Sequence, residues 1–209
     1  MNRLIAPFFS TGARSRVLAV MLCLLLAACG GGSAGNDTPP VGASSVPVRN
    51  AGAVLLGPFL PRLFAMAGYL EDGQFKDRAH QERAVYLLHY AATGDDSGAD
   101  DTISMVKILC GLALGEPLTS RPMLSEMEIA QANAMLVALL QNWPPLTNTS
   151  IEGLREAFIQ RAGALQDRNS HLELLVEPKA FDVLLRQLPF SIARVQHPWM
   201  QKPVHVTWH

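Results

Sequence analysis

The stretch Arg49-Asn50-Ala51-Gly52-Ala53-Val54-Leu55-Leu56-Gly57-Pro58-Phe59-Leu60-Pro61-Arg62-Leu63-Phe64 decides how the chain folds. It is almost wholly apolar, and two glycines and two prolines punctuate it. Such a run must be covered by other parts of the protein, because its apolar surface is costly in water. The pattern predicts a short strand or turn that feeds a buried helix, with Pro61 in the first helical turn, where its missing N–H would have had no partner in any case. The 209 residues, 49% of them hydrophobic, are enough to build one domain around it plus a tail. Seventeen basic against eighteen acidic side chains leave no positive surplus for a phosphate backbone, so nucleic acid is not expected as a partner.

Upstream of this core the composition changes. Arg3, Arg14 and Arg16 precede the apolar run Val17 to Leu26, too short to span a bilayer but suited to a secretory signal. Leu26-Ala27-Ala28-Cys29 follows and resembles the lipobox of bacterial lipoproteins. This implies removal of residues 1–28 as a signal peptide and lipidation of Cys29, whose acyl chains would anchor the protein to a membrane at about 0.8 kcal/mol per buried methylene. Residues 29–48, rich in glycine, serine and proline, read as a disordered tether, and residues 49–209 as the folded domain. Cys23 falls in the signal and Cys29 would be acylated. Cys110 then has no internal disulfide partner; its spacing from Ile103, Val106 and Ala113 makes it a small core residue.

From Ala79 onward the periodicity is chiefly helical. Ala84, Val85, Leu88, Ala91 and Ala92 share a face of a helix that ends at Thr93-Gly94. Asp95 to Asp101 reads as a solvated loop, since its acids miss the alternating spacing of a calcium-binding loop. Ser125-Glu126-Met127-Glu128 is a capping box for a long helix with Ile129, Ala132, Leu136, Leu139, Leu140 and Trp143 on one face, stopped by Pro144-Pro145. Thr149-Ser150-Ile151-Glu152 starts another, with Ile151, Leu154, Phe158, Ala162 and Leu165 as its stripe. Asn148-Thr149-Ser150 also fits a glycosylation acceptor, but the cap is the better reading beside a bacterial leader. Leu172, Leu174 and Val176 alternate with Glu173 and Glu177, and Val204, Val206 and Trp208 with His205, Thr207 and His209, which predicts two short strands. Between them Pro178 opens a helix carrying Phe181, Leu184, Leu185 and Leu188; loss of a buried Phe181 ring would cost about 3–5 kcal/mol. The expected fold is mainly α, a multi-helix domain with a small antiparallel β element near the C-terminus.

Chemistry is sparse. The chain has no Gly-x-Ser-x-Gly elbow, no phosphate-binding glycine turn, no Cys-x-x-Cys and no His-Glu-x-x-His. Six histidines are scattered; His205 and His209 would share a strand face but lie about 13 Å apart, too far for one metal. Glu173 and Glu177 read as the wet face of an edge strand, and Arg155 and Arg161 as helix-surface charges. No catalytic residue, cofactor, metal or small-molecule substrate is expected, and the protein is not expected to be an enzyme. Phe59, Trp199 and Met200 are the aromatic and methionine candidates for partner contact, although burial within the domain is the preferred reading for all three.

The opening stretch, together with Arg83-Ala84-Val85-Tyr86-Leu87-Leu88, Leu109-Cys110-Gly111-Leu112, Asn148 to Arg155 and Phe181-Asp182-Val183-Leu184-Leu185, resembles in order and spacing the C-terminal region of the tape measure proteins of contractile injection systems. Ala91-Ala92-Thr93-Gly94, Asn142-Trp143, Phe158-Ile159-Gln160-Arg161, Leu188-Pro189-Phe190 and Pro198-Trp199-Met200 extend the likeness from about Val46 to Trp208. The resemblance implies a structural component of a phage-tail-like machine, related to the protein that sets inner-tube length, with tube or baseplate proteins as partners and no catalytic residues to carry over. Caps and prolines cut this chain into helices of two to five turns, so the expectation is a docking module without a measuring rod. The leader points to a membrane-anchored envelope lipoprotein that uses the same domain as a binding scaffold, and the family to assembly in the cytoplasm; location separates the two readings.

Overall fold

Strand β1 (Ser45–Val48) leads into a nine-residue 3₁₀ helix, Ala51–Phe59, whose first seven residues are all buried. The computed structural model describes residues 45–95 and 102–208, so the leader, Cys29, loop residues 96–101 and His209 lie outside the description. Val54, Leu55 and Leu56 are fully covered, as the apolar run demands. The 3₁₀ helix passes directly into α1 (Leu60–Met66), with Pro61 in the first turn as predicted. Gly52 is required there: a Cβ at this position would sit 1.7 Å from the carbonyl oxygen of Phe158.

A small hairpin, β2 (Leu70–Glu71) with β3 (Gln74–Phe75), is followed by α2 (Arg78–Thr93). Asp77 caps the start of α2 through the His80 N–H at 2.9 Å, and Gly94, at φ 80°, ends it. Helix α3 (Ser104–Leu109) is short, and buried Cys110 closes it. Ala113 is exposed, outside the helical face expected for it. Helix α4 (Glu126–Gln141) begins at the capping box read from the sequence: the Ser125 hydroxyl accepts the Glu128 N–H, and the Glu128 carboxylate accepts the Ser125 N–H at 2.6 Å. It ends before Trp143 because the residue preceding a proline is pushed out of the helical region, and Trp143 is extended before a 3₁₀ turn at Pro144–Leu146.

Helix α5 (Ile151–Leu154) continues as a π-helical turn, Arg155–Ile159, and stops at Gln160. The predicted helical stripe therefore breaks before Ala162. Leu165 belongs instead to strand β4 (Gly163–Asp167), where it faces the core. β5 (Leu172–Val176), a 3₁₀ helix at Ala180–Gln187, β6 (Arg194–Val195) and β7 (Val204–Thr207) complete the order.

These strands form one five-stranded mixed sheet in the order β1-β4-β5-β7-β6, so the fold is α/β and not mainly α. The expected antiparallel pair is also corrected: β5 and β7, the two strands foreseen, run parallel, with Leu174 opposite Val206. Alternation gives a strand's faces but not its direction. The long connection through Ala180–Gln187 and β6 provides the crossover that parallel pairing requires. Ser45–Val48, read as the end of the tether, is an ordered edge strand paired with β4, Val46 opposite Leu165. β5 is interior, so Glu173 does not sit on an edge; its carboxylate pairs with Arg168 at 2.8 Å.

The core centres on the buried 3₁₀ helix Ala51–Phe59, which packs against α1, α3, α4 and the Arg155–Ile159 turn and against β5 of the sheet. Trp143 is its largest fully buried side chain, tilted at 58° against Phe158 with ring centroids 4.7 Å apart and donating its indole N–H to the Leu184 carbonyl at 3.0 Å. Phe64 gathers Tyr69, Phe75 and Trp199 around it. Phe181 touches Phe158 at 5.3 Å but stays 37% exposed, so it is a half-covering lid and not the buried anchor foreseen.

Candidate functional site

The charges that sequence periodicity left on helix surfaces are inside. Arg161 is fully buried and makes two 2.9 Å bonds to the Asp182 carboxylate. It also donates to the carbonyls of Ala157 at 3.0 Å and Glu177 at 2.5 Å, and sits between the rings of Phe181 and Trp208. Asp182 in turn accepts the Lys179 N–H at 2.7 Å and the Trp208 indole N–H at 2.9 Å. Burial alone would raise the Asp182 pKa; the guanidinium and these donors outweigh it and hold the group below the usual carboxylate range. The cluster ties the 3₁₀ helix at Ala180–Gln187 and the end of the chain to the sheet. Arg155 is buried as well, donating from Nε to the Ala91 carbonyl at 3.0 Å and from a terminal nitrogen to the Tyr90 carbonyl at 3.2 Å, at the negative C-terminal end of α2, where the Tyr90 carbonyl also accepts the Gly94 N–H.

Two further buried acids fix loops. Glu82, fully covered, accepts from Arg78 and from the N–H and hydroxyl groups of both Thr119 and Ser120. Glu128 accepts from Tyr69, Arg83 and Ser125. Burial opposes ionisation of both, yet these donors draw each pKa down to about 2. In each of the four clusters the buried acid or guanidinium is held by hydrogen bonds within the domain, while Arg161 Nε has no partner among the described residues.

The surface offers a different feature. Helices α1 and α4 pack side by side and leave an open groove of about 320 Å³. One wall is Phe59, Leu63 and exposed Met66; the floor is Ala134, Met135 and Ala138 of α4. After Glu128, α4 carries no charged residue, and its outward positions Ala130, Ala134, Val137 and Gln141 are small or uncharged. Small residues keep the floor flat, so another backbone can approach closely. Met127, 71% exposed, lies one turn before Gln131 and extends the stripe.

Two polar groups in this groove lack partners. Arg62 is exposed on the rim and forms no ion pair among the described residues. Gln131 donates its amide to the Met66 carbonyl at 3.3 Å, which turns its Oε1 away; that atom is buried and accepts nothing. A second apolar cavity, of about 360 Å³, lies between Val46, Leu165, Leu172 and the loop at 111–115. Its charged rim is already satisfied, Lys202 bonding Asp167 at 2.5 Å.

Of the contact candidates read from the sequence, Trp199 and Met200 are core residues, as the burial reading had it. Trp199 donates its indole N–H to the Leu109 carbonyl at 3.0 Å. Phe59 is half-buried, stacks edge-to-face on Phe190 and lines the groove. Met66, Ala134 and Gln131 escaped the sequence reading; the absence of charge from Ile129 to Gln141 was the available signal. His171 and His205 stack at 4.3 Å across β5 and β7, and no metal-ligating group of three or more residues occurs among the described residues. Cys29 lies outside the description, and no described helix is long and apolar enough to cross a membrane.

Comparison with curated proteins and with solved structures finds no match in either. The description "contractile injection system tape measure protein" belongs to a family that matches residues 32–208, which takes in every described residue. With the fold and the groove in place, that match means that this chain belongs to the contractile injection system tape measure protein family.

Proposed function

We propose that the domain is a non-catalytic docking module, fastening a tape-measure-related component to tube or baseplate subunits of a contractile injection system through the α1–α4 groove. The observation that carries the reading is the groove itself, an apolar surface with an unpaired cation, on a domain whose buried charges are all engaged internally. Fully buried apolar patches are retained for folding, whereas one left open and rimmed by a polar residue is the usual mark of a protein–protein contact.

The test is Met66→Glu in the full chain, produced with the rest of the assembly. Met66 is 55% exposed, so the fold is retained and circular dichroism is unchanged. Purified particles are expected to lose the chain, or to form tubes of irregular length. Particles indistinguishable from wild type in content and length would refute the reading.

A second reading, an envelope lipoprotein that carries this domain as a scaffold, rests on the leader: Arg3, Arg14 and Arg16, the apolar run Val17 to Leu26, and Leu26-Ala27-Ala28-Cys29. It requires the native chain to fractionate with membranes and the Cys29→Ser chain not to do so. Equal partitioning of the two would remove it.

A further inference from the structure

Resting on the docking reading, we infer that the partner inserts an amphipathic α-helix into the α1–α4 groove, and that this helix carries an aspartate or glutamate facing Arg62. On the α4 side the groove is lined from Gln131 to Asn142, about 17 Å at 1.5 Å per residue, which is the length of a three-turn helix, and exposed Met127 continues the stripe by one more turn. Its flat floor of Ala134 and Ala138 admits a helix backbone, and the flexible Met66 and Met127 side chains adapt to the occupant's apolar stripe. Arg62 then selects among such helices. A partner without an acid would cover an uncompensated guanidinium, and one with a lysine there would add like-charge repulsion.

The probes are three labelled helical peptides of about 18 residues with the same leucine stripe and a central glutamate, glutamine or lysine, titrated into the full chain and followed by fluorescence anisotropy. The glutamate peptide is expected to bind about fivefold tighter than the glutamine one, with lysine weakest and the preference reduced by salt. Arg62→Glu reverses the order, and Ala134→Arg, which fills the floor, abolishes binding of all three. Equal affinities, an order unchanged by Arg62→Glu, or no binding would overturn the inference. So would a self-association that Met66→Glu abolishes, since the occupant would then be a second copy of this chain. If the peptides bind alike while Met66→Glu still disrupts particles, docking stands and the acidic helix falls. If the peptides are discriminated while Met66→Glu particles are normal, the groove's preference for an acidic helix stands and its role in particle assembly falls.

Discussion

Replacing Arg161 by methionine isolates what the buried cluster contributes to the domain. The guanidinium is fully covered, and its removal strips Asp182 of two 2.9 Å bonds and the carbonyls of Ala157 and Glu177 of their donor. Asp182 keeps only the Lys179 N–H and the Trp208 indole. Breaking one side of a buried pair costs about 3–5 kcal/mol, a large share of the roughly 5–15 kcal/mol that holds a domain together. Urea unfolding followed by circular dichroism and by tryptophan fluorescence measures the loss as a lowered midpoint at unchanged slope. The Trp208 signal is the local reporter, because the chain end is the part the cluster fastens. Adding Asp182→Leu to Arg161→Met removes the stranded charge and is expected to restore about half the loss, the two bare carbonyls keeping the rest. A single-variant loss under about 1 kcal/mol, or a double variant as unstable as the sum of the singles, would refute the reasoning.

Gly52→Ala places a methyl 1.7 Å from the Phe158 carbonyl oxygen, so backbone must move; a loss of about 3 kcal/mol or more is expected in the same unfolding assay, and a silent substitution would contradict the close approach. Acidification should act in two stages. His89 and His197 are buried and their pKa values are lowered by that burial, so the unfolded chain binds protons first: stability is full above about 6.5 and falls as the pH drops below it, by at most about 1.4 kcal/mol per pH unit for each histidine. Glu82 and Glu128, held at about 2 against an ordinary 4.5, contribute stability that is present above 4.5 and lost as the pH falls from there toward 2. A melting temperature flat from pH 7 to pH 3 would contradict both assignments. Glu82→Ala frees the N–H and hydroxyl groups of Thr119 and Ser120 and should make the loop at 112–124 a site of limited proteolysis, which the wild-type chain resists.

The sequence disclosed what local chemistry encodes. The Ser125–Glu128 capping box, the Gly94 terminus of α2, Pro61 in α1 and the inward faces of β5 and β7 all follow from residue type and spacing. It could not disclose strand direction, because Leu172 to Val176 alternates identically in parallel and antiparallel pairs. β1 is hidden by its composition: Ser45-Val46-Pro47-Val48 has the character of the tether before it, and only pairing with β4 makes it a strand. Leu165 fits a helical period from Phe158 and Ala162 by coincidence, since an inward strand position happens to coincide with the next helical one. Arg155 and Arg161 mislead for a sharper reason. Charge predicts exposure unless a partner is known, and Asp182 lies 21 residues from Arg161, across a strand pair that periodicity does not see. The groove is legible only in part: Phe59 stands out as an aromatic, whereas Ala134 and Ala138 acquire meaning only once α1 is placed beside them.

Docking through the α1–α4 groove is tested most directly by a density map of the assembled particle at a resolution that shows side chains. A helix of another component is expected in the groove, with a carboxylate against Arg62 and Ala134 covered. A particle in which this domain is ordered while that groove faces open solvent would contradict the docking role.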